Sequence, residues 1–212
     1  QEFLRSILNS ALVAAAATLL SVGIGGLAAY ALGRYRFRGC RMMRYVILLM
    51  SLFPTIAVLP GLLTIVTQLN LVGSIVSLII TYPIFTLPNT TWALIVFFQG
   101  LPADIEQAAY VDGATTFQLF TRILLPIALP VLLTSGLLTF VGVWSEYLLA
   151  QAFTAINPES RTVTAAIKFL AGQLTDGQIM AAAVILSVPL LMVIYFTQRQ
   201  FLQNTTEGAV KG

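Results

Sequence analysis

Five long apolar runs divide the chain, at roughly residues 3–32, 44–67, 72–98, 127–151 and 177–198. Each is close to or above the ~20 residues that an α-helix needs to cross the hydrocarbon core of a bilayer. The runs are continuous rather than alternating in short segments, so they predict spanning helices and not the strands of a transmembrane barrel. The segments between them are short at 33–43 and 68–71 and long at 99–126 and 152–176. Residues 99–126 form a longer, charge-bearing insert whose own pattern predicts two short helices.

The insert reads as a helical hairpin. Pro102 suits the first turn of a helix, where its missing N–H costs nothing. Asp104 and Glu106 follow at the end where the helix dipole favours negative charge. Ala108 and Ala109 give a small, smooth surface able to seat in a cleft. Asp112-Gly113 supplies a stop, because glycine readily takes the left-handed conformation that ends helices. Thr115 or Thr116 can cap a second helix, on which Phe117, Phe120, Ile123 and Leu124 recur at helical spacing. Pro126 is expected to separate that helix from the fourth span.

The spans carry their own signals. In the first, Ala17, Ser21, Gly25, Ala29 and Gly33 recur every fourth residue, which puts small side chains on one face and lets another backbone approach closely. That face serves either internal packing or a subunit interface. The third span holds Pro83 and Pro88, followed by Asn89, and the second holds Pro54 and Pro60. Each proline removes a backbone hydrogen bond and predicts a kink, and irregular helices are tolerated where they line a cavity or are buried in protein. Glu146 falls within the fourth run beside Trp144 and Tyr147. An ionisable group there costs several kcal/mol and faces a partner, the bundle interior or a water-filled path. Two readings stay open for it: a polar contact to a hydroxylated solute, or a hydrogen bond that fixes helix packing.

Composition agrees with a membrane bundle. Of 212 residues, 58% are hydrophobic and 9% charged, against roughly 25% charged in soluble domains, and mean hydropathy is +0.91. With no histidine and only Cys40, histidine-ligated metal, haem, Ser-His-Asp chemistry and an intrachain disulfide are excluded. No clustered acid, base and nucleophile marks an enzyme. No Gly-x-x-x-x-Gly-Lys-Ser/Thr phosphate loop occurs, so any work done with ATP requires another polypeptide. No signal-peptide pattern is seen at the start, and an N-terminal portion of the native protein is expected to be missing.

Charge sets the expected orientation. Residues 33–44 hold five arginines and no acid, which the positive-inside rule assigns to the cytoplasm. Alternation then puts 68–71 and 152–176 outside, and 99–126 and the tail from Arg199 inside. Arg122, Arg199 and Lys211 fall inside on this scheme; Arg5, Arg161 and Lys168 fall outside. Within the long outer loop, 162–171 leans apolar enough for a short helix. A DNA-binding reading of the helix–glycine–helix insert fails, because it lies between spans with Arg122 as its one base.

The sequence Glu-Gln-Ala-Ala-x-x-Asp-Gly-Ala at Glu106–Ala114, followed by Ile-x-Leu-Pro at Ile123–Pro126, resembles the EAA loop of ABC-importer permeases, the membrane subunits of binding-protein-dependent uptake systems. The Asp-Gly-Ala version, the arginine-rich loop and Trp144-Ser145-Glu146 resemble the carbohydrate branch, and the tail at 208–212 resembles maltose/trehalose-type subunits. The resemblance implies an all-α polytopic helix bundle, five spans here and six in the full protein. It also implies a single permease domain over 1–212 with a cytoplasmic coupling loop at 99–126. By the same resemblance, Glu106, Gln107, Ala108, Ala109, Asp112 and Gly113 would meet an ATPase subunit, and Lys211 in the tail would reach toward it. Asn89, Trp144, Glu146 and Tyr147 are candidates for the translocation pathway. Two positions depart from the family pattern: the glutamate before the Ala-Ala pair is Gln107, and Trp-Asn-Glu is Trp-Ser-Glu.

The function so implied is one half of an alternating-access path for a di- or oligosaccharide in a bacterial or archaeal cytoplasmic membrane, with the C-terminus inside. The implied partners are a second permease, two ATPase subunits that bind the ATP and Mg, and an extracytoplasmic binding protein touching the loop 154–176. No cofactor in this chain and no nucleic acid are implied. The alternatives are a permease for polyamine, phosphonate or peptide, and a self-sufficient channel or secondary carrier.

Overall fold

The structure is a computed structural model that describes residues 2–170, 172 and 175–209, without the side chains of 170 and 196–209. The tail residue Lys211 lies outside the described residues. The described chain is helical. In order come α1 (Glu2–Arg34), α2 (Cys40–Ser51), α3 (Thr55–Gln68), α4 (Ile75–Gly100), α5 (Asp104–Val111), α6 (Thr116–Gln118), a π-helical stretch (Leu119–Leu124), α7 (Leu125–Ser145), α8 (Leu148–Thr154), a 3-10 turn (Pro158–Ser160), α9 (Val163–Leu170) and α10 (Asp176–Ala209).

Four helices are long and apolar enough to cross a membrane, and the pair α2–α3, bent by 94°, makes a fifth if it counts as one broken span. The second apolar run is therefore no straight helix. Leu52 and Phe53 leave the helix ahead of Pro54, whose extended backbone opens α3. A residue before proline is driven out of the α region, and the proline has no N–H to continue the ladder. Cys40 packs among residues at one end of the bundle and Leu62 and Val66 among those at the other, so the bent pair still carries the chain from end to end. By contrast α4 is unbroken through Pro83 and Pro88.

Two boundaries differ from expectation. Pro126 does not divide the insert from the fourth span, because α6, the π stretch and α7 run on as one helix of 30 residues, Thr116–Ser145. Leu125 N–H donates to Phe120 O, five residues back, and this wider turn accommodates a proline that cannot donate at the next position. The fourth span also stops short, at Ser145, and Glu146 is extended rather than helical.

α1 is the central helix, packed along α4 and α7. Its stripe of small residues faces inward: Ala17, Ser21 and Ala29 are fully buried. A Cβ on Gly25 would stand 3.0 Å from Thr91 Oγ1, and one on Gly33 3.0 Å from Phe98 Cβ. The stripe thus serves internal packing, where close backbones gain dispersion contact that lipid cannot supply. Hydroxyl pairs occupy the mid-bundle, Ser21 with Thr86 at 2.6 Å and Thr90 with Thr139 at 3.0 Å.

Apolar side chains gather in two clusters, one at each end. The first joins Val13, Leu78, Trp144 and Phe153. The second joins Tyr30, Leu94, Phe98, Leu119 and Leu124.

Candidate functional site

The insert folds as a hairpin standing on the second cluster. α5 starts at Asp104, so Pro102 precedes the helix rather than sitting in its first turn. Gly113 reverses the chain at φ +79°, a conformation that costs glycine nothing and an L side chain much more. Thr115 then forms a full capping box: its hydroxyl accepts from Gln118 N–H, and Gln118 Oε1 accepts from Thr115 N–H. Two orphan donors at the helix start are satisfied at once. Ala109, Leu119 and Leu124 are buried beneath the hairpin, and Tyr30 meets Phe98 and Phe120 edge-on or tilted.

One charged side chain ties the first arm of this hairpin, α5, to the spans. Arg34, the last residue of α1, donates from Nε to Glu106 Oε1 at 2.7 Å. Its Nη1 donates to the carbonyls of Phe98 and Leu101, at 3.1 and 2.8 Å. The Arg34 and Glu106 side chains are 11% and 20% exposed, so the pair is largely desolvated. A guanidinium satisfies all three acceptors with one rigid fork, which an ammonium cannot do. Arg34 therefore caps the C-terminal end of α4, holds α5, and belongs to α1.

The candidate coupling residues divide by this geometry. Glu106 and Ala109 face inward. Gln107, Ala108, Asp112 and Gly113 face out. Two neighbours outside the candidate coupling set are exposed as well, Val111 at 87% and Phe117 at 75%. The outward hairpin face thus combines a neutral amide, small groups and the apolar side chains of Val111 and Phe117 with Tyr110, Asp104 and Asp112. Phe117 was counted as part of an apolar stripe; its place in the first turn after the Thr115 cap is the signal that it points away from Leu119 and Leu124.

The candidate pathway residues do not converge. Asn89 lines a groove of about 280 Å³ between α4 and α7 with Thr86, Thr90, Ser135 and Thr139. Trp144 is buried and stacks on Phe140. Glu146 is engaged structurally. Its carboxylate accepts from Leu149 and Ala150 N–H, restarting the chain as α8, and from Tyr82 Oη at 2.9 Å. Its own carbonyl accepts from Thr164. Tyr147 is half-buried beside it. The hydroxyls of the groove were missed, since single serines and threonines in apolar runs look like ordinary helix residues.

Residues 8–206 match the family of binding-protein-dependent transport system inner membrane components. The chain belongs to that family. It is thus an ABC-transporter permease, a membrane transport subunit. Among relatives, the trehalose/maltose transport system permease protein MalG of Thermococcus litoralis is 34% identical over 207 residues, 96% of this chain and 74% of that one. The trehalose transport system permease protein SugB of Mycobacterium tuberculosis is 33% identical, over 99% of this chain and 78% of its own. The sulfoquinovosyl glycerol transport system permease protein SmoH of Agrobacterium fabrum is 35% identical, over 97% and 73%. The fold is shared with a chain in the crystal structure of a bacterial ABC transporter involved in import of the acidic polysaccharide alginate. The TM-score is 0.78 at 21% identity, covering 95% of this chain and 76% of that chain. The all-helical bundle of this permease is accordingly a fold it shares with that transporter chain.

Proposed function

We propose that this permease forms half of a sugar translocation path, for a di- or oligosaccharide, and is driven through its hairpin by a separate ATPase subunit that holds the ATP and Mg. The observation that carries the proposal is the hairpin itself. Val111 and Phe117 are bare while Glu106 beneath them is wired through Arg34 to α1 and α4. Exposed apolar side chains beside a small-residue surface fit a groove on a partner, and a partner that moved the hairpin would pull on two spans at once. The hairpin end is the cytoplasmic end in this reading, from the arginines of residues 33–44. A second permease would close the other side of the path, and an extracytoplasmic binding protein would deliver solute at the opposite end.

The groove at Asn89 supplies the solute chemistry. Its amide and hydroxyls offer neutral donors and acceptors beside apolar walls, a combination suited to a sugar's hydroxyls and C–H faces. Carriers of polyamines need several acids along the path; Glu146, the acid within the fourth apolar run, is already spent on Tyr82 and α8.

The test is reconstitution of this permease with its partner permease, ATPase and binding protein in liposomes. Sugar uptake should require ATP and all four components, and Thr90→Val with Thr139→Val should raise the apparent KM for solute while sparing assembly. Uptake by the purified chain alone would establish a channel or carrier instead.

A further inference from the structure

The most basic part of the chain lines a cavity that reaches the inner side of the hairpin at Glu106. Arg34, Arg36, Arg41 and Arg44 line a pocket of about 540 Å³ together with Gln99 and Glu106. Glu106 is the one acid on its wall, and Arg34 already takes it at 2.7 Å. Among the described residues, Arg36, Arg41 and Arg44 make no salt bridge. Three guanidinium charges therefore face one concavity without a counter-charge. Their mutual repulsion is a cost that an anion would relieve.

The backbone adds to the field. α2 begins at Cys40 behind Gly39, which sits at φ +89°, with no side-chain cap and no acid in the first turn. The positive end of the α2 dipole is thus left to the pocket.

A neighbouring cavity of about 170 Å³ shares Arg41, Arg44 and Gln99 and extends the site to Tyr45 and Trp92. Arg41 lies over the Tyr45 ring at 5.8 Å. Tyrosine and tryptophan are the side chains that settle at headgroup depth in a bilayer. Beyond them Met43, Val46 and Leu49 of α2 are exposed and apolar, a track on which acyl chains can lie. A free phosphate would use the arginines but none of this continuation.

We propose that the pocket between the end of α1, the start of α2 and α5 holds the phosphodiester headgroup of an anionic phospholipid. Basic pockets between membrane helices are suited to such headgroups, and guanidinium groups pair with phosphate oxygens through two parallel hydrogen bonds. Because Arg34 lines the same pocket, a bound headgroup would sit beside the Arg34–Glu106 tether and bias how firmly α5 is held.

The assembled transporter, purified from phosphatidylcholine vesicles with and without phosphatidylglycerol, is washed and examined by native mass spectrometry. Wild type should retain phosphatidylglycerol in preference to phosphatidylcholine. Arg36→Gln should weaken that preference about fivefold, with a similar factor for each of Arg41→Gln and Arg44→Gln. Arg122→Gln, at the same end but outside the pocket, should leave it unchanged. Arg36 is exposed and makes no salt bridge among the described residues, so its variant remains informative if Arg41→Gln or Arg44→Gln fails to fold. Equal retention of both lipids by wild type overturns the proposal, as does wild-type preference in Arg36→Gln and Arg44→Gln. Displacement of the lipid by millimolar inorganic phosphate would also overturn it, making the site one for a soluble anion.

Discussion

The two ends of the bundle are built on opposite plans. At the end carrying the 3-10 turn, hydrogen bonds are many and spread over several elements, with an exposed Arg5–Glu159 ion pair among them. Asn9 donates to the carbonyls of Glu159 and Arg161, and Ser10 Oγ accepts from Val163 N–H. Asn157 donates to Gly73 O, Gly73 N–H donates to Phe153 O, and Thr164 donates to Glu146 O. At the hairpin end the long-range polar contacts of α5 pass through Arg34 alone among those described. A distributed network makes a rigid block, because losing one bond leaves the rest. A single charged fork makes a polar transmission point, because motion of α5 loads it alongside the continuous helix that leads from α6 into α7.

The sharpest way to break this contrast is Arg34→Ala. Removing one partner of a largely buried pair leaves the other charge uncompensated, at a cost of about 3–5 kcal/mol. Two carbonyls at the end of α4 lose their donor as well. The variant should show a clearly lowered thermal unfolding midpoint, and Arg34→Ala/Glu106→Ala should recover part of the loss. Arg34→Lys should fall between, since an ammonium cannot reproduce the fork. Wild-type stability in Arg34→Ala would dissolve the distinction between the ends.

Next in size is Gly113→Val. A β-branched residue forced to φ +79° costs roughly 1–3 kcal/mol, and the hairpin relieves that strain by opening. The expected signature is protease cleavage within residues 110–116 and ATP hydrolysis no longer coupled to uptake. Gly113→Asn should be milder, because asparagine tolerates the left-handed region.

Glu146 probes the opposite end. Glu146→Ala deletes the groups that receive Leu149 N–H, Ala150 N–H and Tyr82 Oη, and losing such a cap costs about 0.5–2 kcal/mol. Glu146→Gln keeps an acceptor oxygen and should retain both fold and uptake. A solute-binding carboxylate behaves otherwise: Gln then abolishes uptake at unchanged stability, and that result would return Glu146 to the pathway.

How these elements could be read from sequence depends on the range of the forces that set them. The apolar runs, the Gly113 reversal and the Thr115 cap are local, so their residues declare them. Glu146 was legible as costly but not as a cap, because the apolar run continues past Ser145 and conceals the helix break. The 94° bend at Pro54 was visible as a kink of unknown size; its extent depends on which cluster each half joins. Arg34 was indistinguishable from its four neighbours in residues 33–44, because only packing decides which arginine meets an acid 72 positions away. The Asn89 groove likewise needs two helices laid side by side before its hydroxyls share one wall.

The smallest expected change in stability sharpens the comparison most. Val111→Ser and Phe117→Ser alter side chains that are 87% and 75% exposed, and surface substitutions away from special features usually stay within about 0.5 kcal/mol. Both variants should therefore fold as wild type does, with the Arg34–Glu106 pair untouched. If the bare face seats in an ATPase groove, each lost anchor forfeits buried apolar area worth about 25 cal/mol per Å², and co-purification of the ATPase should fall, with Phe117 the more severe. The block at the opposite end gives the control: Ile156→Ser, also exposed at 73%, should leave that association intact. Equal loss from both ends would mean that exposed apolar groups matter only to general assembly. Loss from the hairpin alone would make the two plans functional, one end built to be held and the other to be pulled.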